Sequence, residues 1–150
     1  MKDWLKYSSN IGVLIGGLAL SYYVKPRQTS DGDFLFLTVE DIPLSVTGFK
    51  RTRQSAFIHL ETHVEIEVLT PIVINMTVEL AKHISETAIE KDGFKIASRE
   101  GLIAAKLGRF KLQDRADISA LLSIGPVDLS VFPLNNKQLR NLEIALDEIE

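Results

Sequence analysis

The chain has no cysteine, one tryptophan, five prolines and no long apolar run among its 150 residues. The missing cysteine excludes disulfides, thiolate metal sites and a cysteine nucleophile, and it fits a reducing, cytoplasmic setting. A net charge of -3 argues against a surface that coats nucleic acid, though it permits local basic patches. A membrane span needs about 20 apolar residues. The most apolar stretch, residues 11–24, has fourteen, interrupted by Gly12, Gly16, Gly17 and Ser21. The "KPRQTSDGD" that follows it offers no small-residue cleavage site. The stretch therefore reads as a buried strand followed by a buried helix, with no membrane partner expected.

What is present suits one globular domain. Composition is 45% hydrophobic and 25% charged, with no repeat or low-complexity tract, so a single domain over 1–150 is expected. Its core would cover about residues 11–122, with a helical extension over 123–150. Residues 2–9 can start a helix on Trp4 and Leu5, and residues 13–15 read as a short central strand. Gly16-Gly17 reads as a turn and residues 18–24 as a helix stopped by Pro26. Residues 33–39 read as a strand apolar on both faces.

From 56 to 69 the alternation is clean. Ile58, Leu60, Val64, Ile66 and Val68 share one parity, and His59, Glu61, His63, Glu65 and Glu67 the other. The pattern fits one long strand or a hairpin turning near Thr62, where a turn can change which face each half presents. A helix around 75–85 and a hairpin at Asp92-Gly93 are expected next. Ser98 caps a helix whose inner stripe is Leu102, Ile103, Lys106, Leu107 and Phe110. A second helix carries Asp114, Asp117, Ile118, Leu121 and Leu122, and Asn135 or Asn136 caps a last one. The expected class is α+β: a small mixed β-sheet flanked by helices, with further helices at the C-terminus.

The candidate chemistry begins with "SDGD". Asp31 and Asp33 are two apart, so in extended backbone both leave the same face and repel unless a cation sits between them. Mg²⁺, hard and oxygen-preferring, is the natural partner for such a pair together with nucleotide phosphates. The Gly16-Gly17 turn ends the preceding strand, where glycine allows backbone to approach phosphate closely. A phosphate grip and a metal grip on adjacent strands suit metal-assisted phosphoryl or nucleotidyl transfer.

These residues carry a resemblance. "GG" followed after thirteen residues by "DGD", with "VEIEVLTP" and "REGLIAAKLGRFKLQDRADISALL", resembles the DNA polymerase beta-type nucleotidyltransferase superfamily. Within it the chain is most similar to minimal nucleotidyltransferases, a group that includes abortive-infection and toxin–antitoxin members. The resemblance implies a nucleotidyltransferase fold, an NTP substrate, and Mg²⁺ or Mn²⁺ held by Asp31, Asp33 and Glu67. It implies that Gly16 and Gly17 hold the triphosphate, with Arg27 and Thr29 approaching the metal strand. Lys106 would contact phosphate, Asp117 would match a further functional position, and an RNA or protein hydroxyl would accept the NMP group. A homodimer or a partner protein would supply the acceptor side. The chain has Gly-Gly where Gly-Ser is common among active members, and Glu where the third acid is more often Asp.

Each of these residues has a plainer reading. "SDGD" is good turn chemistry. Glu65 has the same parity as Glu67 and competes for the role of third acid. Lys106 and Asp117 both lie on apolar stripes, which also suits a structural ion pair between two helices. His59 and His63 have the i, i+4 spacing of a helical zinc pair, but a strand separates them by about 13 Å. His83 reads as a surface or core-edge histidine. "KRTR" at 50–53 reads as a solvated loop or, alternatively, as a contact to RNA phosphates. Besides an active enzyme, two alternatives therefore stand: a catalytically degenerate nucleotide- or partner-binding module of antitoxin-like or regulatory type, and a structural interaction module.

Overall fold

Short runs of β-branched and aromatic residues, separated by glycine, asparagine and aspartate, lay down the sheet. In the computed structural model, which describes residues 1–24 and 31–149, helix α1 (Lys2–Tyr7) leads into strand β1 (Val13–Ile15) and helix α2 (Gly16–Leu20). Strands β2 (Gly32–Leu35), β3 (Phe49–Arg53), β4 (Ala56–His59) and β5 (Glu65–Leu69) follow. Then come helix α3 (Val78–Glu86), the hairpin β6 (Ile89–Lys91) and β7 (Phe94–Ile96), and helices α4 (Arg99–Leu107), α5 (Leu112–Ser123) and α6 (Asn136–Glu148). The strands form one seven-stranded mixed sheet in the order β3-β4-β5-β2-β1-β7-β6. Strand β2 runs antiparallel to β1 and parallel to β5, and β1 runs parallel to β7. The fold is α+β, as the sequence pattern predicts. None of the helices among the described residues is long and apolar enough to cross a membrane.

Several boundaries differ from expectation. The helix expected over 18–24 starts at Gly16, so the two glycines form its first turn, and it ends at Leu20. The strand expected over 33–39 stops at Leu35. Phe36 N–H adds one more bond to Leu69 O at 2.8 Å before a 3₁₀ turn at Val39–Asp41. "KRTR" is not a loop: it lies within edge strand β3, with Arg51 over the Phe57 ring at 5.2 Å.

The hairpin reading of 56–69 holds, and the turn does change the buried parity. Ile58 pairs with Glu65 and Phe57 with Ile66, so residues of opposite parity share a face across the turn. Phe57 and His59 are therefore buried, while Ile58 is half-exposed. His59 Nε2 lies 2.7 Å from Asp3 Oδ2, and its Nδ1 accepts the Thr62 N–H at 3.1 Å. This histidine ties α1 to the hairpin, and His63 sits in the turn at φ 60°. His83 is a core-edge residue, with its ring against Phe132 at 4.5 Å.

One face of the sheet buries an aromatic cluster. Trp4 is fully buried, with ring centroids 5.7, 5.5 and 5.3 Å from Phe34, Phe49 and Phe57. Burying four such rings supplies several kcal/mol of hydrophobic stabilisation, roughly 2 each. The opposite face presents Ile15, Asp33 and Glu67, which stand side by side in register on β1, β2 and β5. Helix α4 is capped by Ser98 Oγ, which accepts the Gly101 N–H, and it buries Leu102, Ile103 and Leu107. Helix α6 begins with a capping box in which Asn135 and Gln138 exchange bonds of 2.8 and 2.9 Å. It belongs to the same core: Ala145 is buried, and Asn141 Nδ2 donates to Leu107 O at 2.7 Å.

Candidate functional site

The register that aligns Ile15, Asp33 and Glu67 also decides which acids meet. Asp33 and Glu67 are direct neighbours on two parallel strands, so their carboxyl groups leave the same face side by side. Burial, reinforced by the charges of Glu67 and Asp31, pushes the Asp33 carboxyl up to about 6, while Lys106 works in the opposite direction. Gly16 leaves room for this arrangement. It sits at φ +78°, and a Cβ there would collide with the Asp33 carboxylate.

These residues form one wall of a cleft of about 340 Å³. The other wall is the C-terminal half of α4 and the start of α5, with Lys106, Arg109 and Asp114 in the lining. The helix pair holds its charges in closed pairs. Lys106 Nζ donates to Asp117 Oδ2 at 2.8 Å and stands 4.0 Å from Asp114 Oδ1, with the Lys106 and Asp117 side chains only 11% and 5% exposed. Gln113 Nε2 adds a bond to Asp117 Oδ1 at 2.9 Å. Arg109 grips Asp114 with two bonds of 2.9 and 3.0 Å, and the Lys111 N–H donates to the same carboxylate. Burial alone would raise the Asp114 carboxyl. The Arg109 guanidinium and the Lys111 N–H reverse that and hold it below the usual carboxylate range.

Of the expected site residues, Gly16, Asp33, Glu67 and Lys106 meet in the cleft. Asp117 stands directly behind Lys106, so the ion pair of the plainer reading is present. Gly17 continues α2 and does not line the cleft. Asp31 lies outside the lining, and its Oδ1 accepts the Glu65 N–H at 2.9 Å. Glu65 instead pairs with Arg53 at 3.2 Å, one step along β5 on the same face, which leaves Glu67 as the acid beside Asp33. Arg27 and Thr29 lie outside the described residues. Arg109 and Asp114 also belong to the cleft; in the sequence Arg109 stands only within the segment 99–122 that carries the resemblance, and Asp114 only as a residue of its second helix. Asn75 also lines it and had no sequence signal beyond its position after an apolar run.

Among the described residues, no group of three or more His, Asp or Glu side chains has the arrangement of a metal centre. The Asp33–Glu67 pair nevertheless fits Mg²⁺, which is commonly held by one or two carboxylates with substrate phosphates and waters completing six oxygens. A divalent charge between the two carboxylates would relieve the repulsion that holds the Asp33 carboxyl up. No protein-family model matches the chain, and no curated protein matches it.

Proposed function

We propose that this domain binds an NTP with Mg²⁺ or Mn²⁺ and transfers its NMP group to a hydroxyl of an RNA or protein acceptor. One observation carries the reading: two carboxyls side by side in register, Asp33 and Glu67, line a cleft together with Lys106 and Arg109. The motif resemblance of Gly16-Gly17, Asp31-Gly32-Asp33 and the Lys106–Asp117 helix pair supports it.

The chemistry follows from the residues. The acceptor oxygen forms a bond to the α-phosphorus, and the bond to the β-phosphate oxygen breaks, releasing pyrophosphate. The hydroxyl proton goes to a carboxylate, and Glu67 is placed for this because Asp33 lies between it and the Gly16 turn. Lys106, held by Asp117, offers the triphosphate a fixed ammonium; Gly16 keeps the approach free of side chain. A divalent cation on Asp33 and Glu67 would supply charge neutralisation and acidify the attacking hydroxyl.

Melting the protein with each NTP, in Mg²⁺ and in EDTA, tests the binding half. Ligand at 100 times its Kd contributes about 2.7 kcal/mol. A clearly larger shift with the divalent ion is expected, and equal shifts in both would overturn the reading. Incubation with α-labelled NTPs and total RNA or protein then tests transfer.

Binding without catalysis is the second reading. It is favoured by the Asp31 carboxylate accepting a backbone bond from Glu65 and by the closure of Lys106 on Asp117. Metal-dependent NTP binding with no labelled product in any acceptor pool would decide for it.

A further inference from the structure

Helix α6 has two apolar sides, and only one of them is covered. Gln138 and Ala145 are buried, and Asn141 donates to Leu107 O at the end of α4, so this side lies on the core. About a quarter-turn round the helix, Leu139, Leu142, Leu146 and Ile149 follow one another at spacings of three, four and three. That is the heptad spacing of a helix that packs along its length against another helix. Leu142 is half-buried, but Leu139, Leu146 and Ile149 remain 46%, 40% and 39% exposed. Ile149 keeps right-handed helical backbone, so the stripe runs unbroken to it.

The charges of α6 are arranged against the field of the helix itself. Lys137 and Arg140 lie in its first half, and Glu143, Asp147 and Glu148 in its second. The first turn has no acid and the last turn no base. The helix dipole favours the reverse order. Glu148 is held by Arg115 of α5. Arg140 and Asp147 are exposed and belong to no ion pair among the described residues. Being seven residues apart, they share one side of the helix, next to the stripe and away from the core.

We propose that α6 is a self-pairing surface: two copies of the chain associate through their α6 stripes, antiparallel about a two-fold axis. In such a pair each stripe covers the other, so Leu139 meets Ile149 and Leu142 meets Leu146 of the second copy. The same register brings Arg140 level with Asp147 and Glu148 of the second copy, and the two-fold axis makes this contact twice. The order of charges that the dipole disfavours in one helix is complementary across the pair. A parallel pair would set Arg140 against Arg140 and Asp147 against Asp147. The stripe is only about 15 Å long, which suits a reversible dimer rather than an obligate one. No residue of α6 lines the cleft, so the proposal stands apart from the nucleotide reading.

Sedimentation of the full chain over a micromolar dilution series tests it. The wild type should pass from monomer to dimer as concentration rises. Leu146→Lys should weaken the dimer by about tenfold or more, as loss of a central apolar contact does, and should leave the melting temperature of the monomer unchanged. Arg140→Glu and Asp147→Lys should each weaken it about tenfold, because each sets like charges together at both contacts. Both changes follow the order that the dipole favours, so weaker association would not be a folding defect. The double variant, which exchanges the two charges, should recover wild-type association. A wild type that stays monomeric throughout, as when the stripe meets some other protein or none, overturns the proposal. So does a dimer that Leu146→Lys leaves intact, or single charge variants that associate as well as the wild type.

Discussion

The two walls of the cleft solve the same electrostatic problem in opposite ways. On the helix wall, Lys106 meets Asp117 and Arg109 meets Asp114, so each buried charge has a partner of opposite sign. On the sheet wall, Asp33 has an acid for its nearest neighbour and is held up to about 6 by burial and by Glu67. A buried pair of opposite charges costs desolvation and recovers much of it, whereas a like-charged pair must take up a proton or a cation. The helix wall is therefore fitted to the empty protein. The sheet wall carries an uncompensated acidic pair, which the proposed reading assigns to a divalent cation.

The largest effect should come from breaking a closed pair. Asp117→Ala leaves Lys106 with Asp114, at 4.0 Å, as its ion-pair partner among the described residues, and removes the Gln113 bond. A loss of about 3 kcal/mol is expected, read as a melting temperature lower by roughly 6–12 °C. A loss below about 1 kcal/mol would show that the helix wall is no stronger than a surface ion pair.

Next is Gly16→Ala, which combines the strain of φ +78° with a collision against Asp33. About 2 kcal/mol of destabilisation is expected. The double variant with Asp33→Ala should recover the part due to the collision and leave the backbone part. Strict additivity of the two losses would mean that the side chains do not meet.

Asp33→Asn probes the strained wall and should act with the opposite sign. The folded-state carboxyl is raised from 3.8 to about 6, so its contribution to stability is fully present below pH 4 and is lost as pH rises through 6. At pH 8 the Asn variant should exceed the wild type by about 1–2 kcal/mol, allowing for partial solvation, and the difference should vanish near pH 4. Urea melts at the two pH values measure it. Mg²⁺ at pH 8 should narrow the gap by stabilising the wild type alone. A wild type that is the more stable form at pH 8 without metal would remove the contrast between the walls.

Arg53→Ala sets the floor. The Arg53–Glu65 pair is 58% and 41% exposed, and its removal should cost no more than about 0.5 kcal/mol. A larger loss in thermal melts would indicate that Glu65, rather than Glu67 alone, shapes the acidic wall.

The amino-acid sequence by itself determined the α+β class, the strand at 13–15, the Asp92-Gly93 hairpin, the cap at Ser98, and a last cap at Asn135 or Asn136. These are local: they follow from side-chain periodicity, backbone freedom at glycine and hydrogen bonding within one turn. Asp33 and Lys106 were also marked, because charges at buried positions are costly wherever they fall, and Glu67 was marked through the motif resemblance. What only the tertiary structure decided is which charge meets which. The register of β2 against β5 places Glu67 beside Asp33 and draws Asp31 onto the Glu65 backbone. The crossing of α4 and α5 closes Lys106 on Asp117 and brings Arg109 and Asp114 into the cleft. The hairpin turn exchanged the buried parity of β4, and an apolar run ended in a left-handed Asn75 beside Gly108. All four depend on contacts between segments distant in the chain, which periodicity within one segment does not encode.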